Sequence, residues 1–231
     1  MRSISILLGA LLALVTISAP ADARRVALVI GNSAYAIGPL ANPGNDAEAI
    51  AAALKALDFD VTLQKNLGRE AMRGALGMFG RKVPGADIAL VFFAGHGTEI
   101  AGRNFLIPTD ARLARAADVD LETIALDTVL AQLDGARQLK LVILDACRNN
   151  IFPLAGAKRT LSRGLARVEP EDNTLVVYAA KEGTTAEDGT GSRNSPFTSA
   201  LLKHIATPGL DIRLMLGGVR DDVLAATGRA Q

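Results

Sequence analysis

Ile88-Ala89-Leu90-Val91-Phe92-Phe93-Ala94-Gly95-His96-Gly97 is an apolar run that stops at a histidine with a glycine on either side. A short run without polar alternation reads as a strand buried on both faces, the pattern of a parallel sheet. Val26 to Ile30, Leu139 to Leu144 and Thr174 to Ala179 read the same way, and Phe59 to Leu63 is a weaker copy. Segments of helical period stand between them. Asn45 to Leu57 carries Ile50, Leu54 and Leu57 on one stripe behind the turn Asn42-Pro43-Gly44, with Asn45 or Asp46 placed to cap. Arg69 to Lys82 is a second helix, weakened by Gly74, Gly77 and Gly80. Thr128 to Leu133, Pro196 to Ile205 and Asp211 to Ala226 follow. This alternation predicts an α/β fold, a three-layer α/β/α sandwich with a mostly parallel central sheet.

Two stretches interrupt the alternation. Residues 97–125 hold Gly97, Gly102 and Asn104 between short β-prone pieces, which suits a hairpin excursion over the sheet edge. Residues 148–172 are polar, basic and punctuated by glycine, a length of loop more often functional or mobile than inert. There is no internal repeat and no low-complexity segment.

The chain has 231 residues, 49% of them hydrophobic, which suffices for the core of one ordinary domain. Lys and Arg number 25 against 24 Asp and Glu, and aromatic residues make up 4%. That balance carries no electrostatic footprint for nucleic acid and few rings on which to stack bases. One cysteine and two histidines exclude an intramolecular disulfide and a structural zinc site.

The N-terminus reads as an address. Arg2, the apolar run Ile4 to Ile17 and then Ala19-Pro20-Ala21-Asp22-Ala23 follow the charged, apolar and small-residue order of a secretory signal peptide. The run is shorter than the ~20 residues that a spanning helix needs. Cleavage is expected after Ala23, leaving residues 24–231 as one periplasmic or secreted domain with no membrane anchor. No cysteine near that site offers a lipid attachment point. A sole thiol has no intramolecular disulfide partner in an oxidising compartment and stays available for chemistry.

In open parallel sheets, functional groups collect beyond the carboxyl ends of the strands. The third run ends at His96 and the fourth at Leu144-Asp145-Ala146-Cys147-Arg148, so the only cysteine and one of two histidines fall at equivalent strand ends. A thiol with an ordinary pKa of about 8.5 needs a partner such as imidazole to become a thiolate nucleophile. The amides of Gly97 and Cys147 could stabilise a tetrahedral oxyanion. His204 sits among Leu201, Leu202 and Ile205 and reads as structural or exposed.

A His-Gly pair after one apolar strand, with Asp145-Ala146-Cys147-Arg148 after a second strand about 50 residues on, resembles the caspase-like cysteine peptidases. Val29-Ile30-Gly31-Asn32 with Tyr35, Asn45-Asp46-Ala47 and Asn194-Ser195-Pro196-Phe197-Thr198 are similar to the bacterial caspase-domain and metacaspase branch. The resemblance runs from about residue 25 to residue 226. It implies a caspase-like fold, Cys147 as nucleophile and His96 as general base and then acid. In metacaspases and paracaspases an aspartate two residues before the cysteine lines a pocket for Arg or Lys, and Asp145 matches that position. Asp46 and Asp188 lie in segments resembling those that supply further acidic groups, so the implied activity is cleavage after a basic residue. Arg148 and Asn149 depart from the residues usual in those families.

The expected substrate is a peptide or protein and no cofactor is required. Glu169, Glu171 and Asp172 read either as a calcium site or as a solvated loop. Lys158, Arg159, Arg163 and Arg167 read either as a solvated basic loop or as a site of self-cleavage. Two other functions fit the same fold: a non-catalytic binding module, and a different Cys-dependent amidase or hydrolase. The sequence carries no sign of oligomeric state.

Overall fold

The computed structural model describes residues 23–147, 165, 173–180, 188–189, 191–229 and 231. Strand β1 (Arg25–Gly31), helix α1 (Pro43–Ala56), β2 (Phe59–Lys65), α2 (Arg69–Lys82) and β3 (Ile88–Ile100) follow in turn. β4 (Arg103–Leu106), α3 (Asp118–Glu122), β5 (Ile124–Ala125) and α4 (Leu126–Ala131) come next. β6 (Leu139–Cys147), β7 (Thr174–Tyr178), α5 (Pro196–His204) and α6 (Ile212–Ala226) complete the described elements. The parallel strands lie in the order β2-β1-β3-β6-β7. That order reverses between β1 and β3, which places a crevice beyond the carboxyl ends of those strands.

Alternate residues of each strand feed two separate cores, as the pleat requires. Leu28, Ile30, Val91, Phe93, Val142 and Leu144 pack against Met72, Leu76 and Phe79 of α2 and Val129 of α4. Ala27, Val29, Leu90, Phe92, Leu141 and Ile143 pack against Ile50 and Leu54 of α1, Phe197 and Leu201 of α5, and Val219 and Val223 of α6. Each fully buried Leu, Ile or Phe contributes about 1.5–3 kcal/mol. The three-layer sandwich expected from the sequence is therefore present, with helices on both faces.

Two local readings change. The turn Asn42-Pro43-Gly44 is not ahead of α1 but starts it: Pro43 occupies the first turn, and Asn42, at the N-cap, makes no side-chain cap bond. Asp46 is thus inside the helix and does not cap it. The third strand does not stop at the histidine either. β3 continues to Ile100, and from Gly97 onward it pairs antiparallel with β4, which in turn pairs with β5. This is the expected hairpin, with α3 added before β5. Residues 148–164 and 166–172, with the basic group and the acidic triplet, lie outside the described residues, as do residues 1–22. Among the described residues no helix is long and apolar enough to cross a membrane.

Candidate active site

β3 and β6 run side by side in register from Ile88↔Leu139 to His96↔Cys147. The two residues singled out as a dyad are therefore backbone neighbours at the carboxyl ends of adjacent parallel strands. Gly97 follows His96, within 3.5 Å of the described atoms of Ala146, Phe105 and Leu165 as measured from the position of an added Cβ.

His96 is 3% exposed. Its Nε2 lies 2.6 Å from the carbonyl oxygen of Gly38. A carbonyl only accepts, so Nε2 carries the proton and Nδ1 is the basic nitrogen. Among the described residues Nδ1 has no hydrogen-bond partner. Burial pushes the imidazole below its ordinary pKa, against the opposing pull of the Gly38 carbonyl and the charge of Asp188. Burial thus favours the neutral ring. It is fixed from behind by Tyr35, whose Oη accepts the His96 amide at 3.0 Å and donates to the Ile107 carbonyl at 3.0 Å.

The three candidate specificity acids converge. Asp145, on the β6 stripe that packs against α1 and α5, is 6% exposed. Its Oδ2 accepts the hydroxyls of Ser195 at 2.5 Å and Thr198 at 2.7 Å. Asp46, on α1 and 1% exposed, accepts the Asn194 side-chain amide at 2.8 Å and the Ser195 backbone amide at 3.0 Å through Oδ1. Asp188 is half-buried and accepts the amides of Ala41, at 2.7 Å, and Asn42, just ahead of α1.

Burial, then the charge of Asp145, pushes Asp46 up to about 7 despite its two donors. Burial, relieved in part by the hydroxyls of Ser195 and Thr198, pushes Asp145 up to about 6, and Asp188 adds to the rise. Among the described residues these acids repel one another and meet no counter-charge, a setting that suits a cation.

His204 is elsewhere: its Nε2 meets Asp222 of α6 at 3.2 Å. Its structural reading on the α5–α6 contact fits that placement. The sequence reading assigned no role to Gly38, Asn194, Ser195 or Thr198. Asn194-Ser195-Pro196 carried a detectable signal, a capping residue before proline, whereas the Gly38 carbonyl belongs to the backbone and has none.

The strand order, the two helical layers and the strand-end crevice define a caspase-like α/β protein. The caspase-domain model of the peptidase family C14 matches residues 24–231, and the chain belongs to that family. Among solved structures, caspase-1 from Spodoptera frugiperda has a TM-score of 0.64 over 87% of this chain and 78% of its own, at 21% identity, a likeness of fold. The human mucosa-associated lymphoid tissue lymphoma translocation protein 1 is 35% identical over 97 residues, 42% of this chain. The match spans 12% of that relative's length.

Proposed function

We propose that this protein is an exported caspase-like cysteine endopeptidase that cleaves peptides after Arg or Lys. The observation that carries the reading is the in-register pairing of His96 with Cys147, combined with a buried imidazole whose Nδ1 has no hydrogen-bond partner among the described residues.

In this mechanism Nδ1 of His96 takes the Cys147 thiol proton, and the thiolate attacks the scissile carbonyl carbon. The oxyanion forms against the amides of Gly97 and Cys147. The C–N bond breaks as His96 returns the proton to the departing amine, leaving a thioester. Water, deprotonated by His96, then displaces the thiolate and releases the carboxylate product. The Gly38 carbonyl holds Nε2–H throughout and stabilises the imidazolium between steps. The chain itself supplies nucleophile and proton carrier, so no cofactor enters the proposal.

Specificity is assigned to Asp145, Asp46 and Asp188. A guanidinium or ammonium entering among them makes charge-assisted hydrogen bonds and relieves the repulsion of the carboxylates. The substrate is a peptide or protein. Export rests on residues 1–23 and places the mature domain in the periplasm or outside the cell.

The test is hydrolysis of fluorogenic peptides ending in Arg or Lys by protein 24–231, with and without calcium. Turnover that disappears in Cys147→Ala and His96→Ala is the expected result. No turnover across a broad P1 library, with no labelling of Cys147 by thiol-reactive peptide electrophiles, would leave a binding module; labelling without peptide cleavage would indicate another Cys-dependent hydrolase.

A further inference from the structure

Ser195 is shared by two carboxylates from different elements, Asp46 of α1 and Asp145 of β6. Its amide donates to Asp46 Oδ1 at 3.0 Å and its hydroxyl donates to Asp145 Oδ2 at 2.5 Å. The same oxygen accepts the Thr198 amide at 2.9 Å, which makes Ser195 the N-cap of α5. Pro196 fixes the first helical position, and Thr198 Oγ1 reaches Asp145 Oδ2 from one turn further on. Ser195 is 2% exposed and Thr198 is fully buried. The start of α5 thus presents a row of donors to the two acids, and Asn194 adds its side-chain amide to Asp46.

Nothing in this arrangement requires Ser195 to touch a substrate. An ordinary cap would satisfy the helix alone, and an ordinary buried aspartate would find donors on its own loop. Here one residue spans both acids, and Asp145 accepts the hydroxyls of Ser195 and Thr198 on the same oxygen, Oδ2.

We infer that Ser195 is a positioning residue for basic-substrate recognition, which holds the carboxylates of Asp46 and Asp145 as one unit ready to accept a guanidinium. This inference rests on the basic-pocket reading given above. The groups that face the pair are Asp188 on one side, through charge on both acids, and the neutral donors Asn194, Ser195 and Thr198 on the other. No cation among the described residues contacts either acid by hydrogen bond or ion pair.

An unoccupied pair of close carboxylates holds protons more tightly than free acids do. An arriving guanidinium displaces those protons, so KM for Arg substrates rises on acidification below about pH 7. Without the Ser195 hydroxyl Asp145 loses a donor that holds its carboxyl down, and the rise in KM begins at a higher pH.

The experiment compares peptides ending in Arg with otherwise identical peptides ending in citrulline, its neutral analogue, on wild-type protein, Ser195→Ala, Ser195→Thr and Thr198→Val. Ser195→Thr keeps the hydroxyl and the cap. Thr198→Val removes one hydroxyl from Asp145 and leaves the cap intact. Ser195→Ala is expected to raise KM for Arg about tenfold or more, as the loss of a hydrogen bond to a charged group does. Its kcat and its citrulline kinetics should change far less, Thr should restore wild-type behaviour, and Val should give an intermediate KM.

Loss of the cap alone would lower the melting temperature and leave the Arg-to-citrulline ratio and the KM pH profile where they were. That outcome overturns the inference and leaves the basic pocket standing. A wild-type enzyme that does not distinguish Arg from citrulline overturns the basic-pocket reading and this inference with it. If Ser195→Ala fails to fold, Thr198→Val decides: an unchanged Arg-to-citrulline ratio in that variant also overturns the inference.

Discussion

The ring of Tyr35 lies against the ring of His96, with centroids 4.4 Å apart and planes tilted by 51°. The phenol also closes a bridge between two backbones, taking the His96 amide and giving its proton to the Ile107 carbonyl. Ile107 returns its own amide to the His96 carbonyl at 3.0 Å. Tyr35 therefore sets the height of His96 above the sheet, and the imidazole is held between this ring and the Gly38 carbonyl.

Tyr35→Phe keeps the ring and removes the bridge. Two buried backbone groups lose a partner, at a cost of about 2 kcal/mol, which lowers the melting temperature by about 4–8 °C. Peptide turnover should fall through kcat with KM little affected, because His96 loosens while the acid pocket stays intact. Unchanged thermal unfolding and unchanged kcat would show that the bridge does not position the imidazole.

Gly95, just before His96, has a φ of +156°, and a Cβ built there would sit 2.5 Å from Tyr35 Oη and 2.9 Å from Phe93 Cζ. Gly95→Ala must push Tyr35 aside and costs about 1–3 kcal/mol. Tyr35→Phe removes the closest clashing atom, so the two changes should not add. A double-mutant cycle measured by denaturant unfolding is expected to show a combined cost below the sum of the single costs by about 0.5–3 kcal/mol. Strict additivity would separate Gly95 from the Tyr35 contact.

These couplings mark where sequence reasoning stops. The strands were legible because Val26 to Ile30 and Ile88 to Ala94 are apolar without alternation, which only a sheet covered on both faces tolerates. The juxtaposition of His96 and Cys147 followed from strand-end placement together with family resemblance. Asp46 was less legible: with Pro43 in the first turn, α1 begins ahead of it, and the side chain points to α5 across about 150 residues of chain. Ser195 before Pro196 advertises a helix start. That its hydroxyl also serves Asp145 depends on packing of α5 against β6, which no local pattern records.

The expected processing site meets the fold at a specific point. The backbone nitrogen of Arg24 donates to Asp87 Oδ2 at 2.8 Å, while the Arg24 guanidinium grips the carbonyls of Pro84 and Lys82. Cleavage after Ala23 turns that amide into an α-ammonium beside a carboxylate, which also faces Arg137 at 3.0 Å. A charge-assisted bond replaces a neutral donor, and the ammonium pKa rises above its ordinary value of about 8. The added stability is present below pH 8 and is lost as pH climbs through the raised value. Protein starting at Arg24 should melt higher at pH 7 than protein retaining Ala23, with the gap closing toward pH 10. N-terminal sequencing of exported protein tests the cleavage site, and equal melting at pH 7 would refute the stabilising pair.

Asp46 and Asp145 give stability a slope of the same sign over a lower range. Both are raised, to about 7 and about 6, so the folded protein holds protons that the unfolded chain releases near pH 4. Stability from these groups is greatest below pH 4 and falls as pH rises to about 7, where the burial of two close carboxylates is fully felt. His96, held below its ordinary pKa by burial, works in the other direction over part of that range. Comparing a variant with wild type at each pH cancels its contribution. Asp46→Asn keeps an oxygen for Asn194 and Ser195 and removes one charge. It should stabilise the fold by about 1–2 kcal/mol at pH 8, a rise of about 2–8 °C in melting temperature, and by little at pH 4. The same variant should lose preference for Arg over citrulline, because the charge that destabilises the empty pocket is the one a guanidinium would neutralise. Equal melting of wild type and Asp46→Asn at pH 8 would mean that the pair is already compensated in solution, and the acid pocket would then lack the unsatisfied charge on which its selectivity depends.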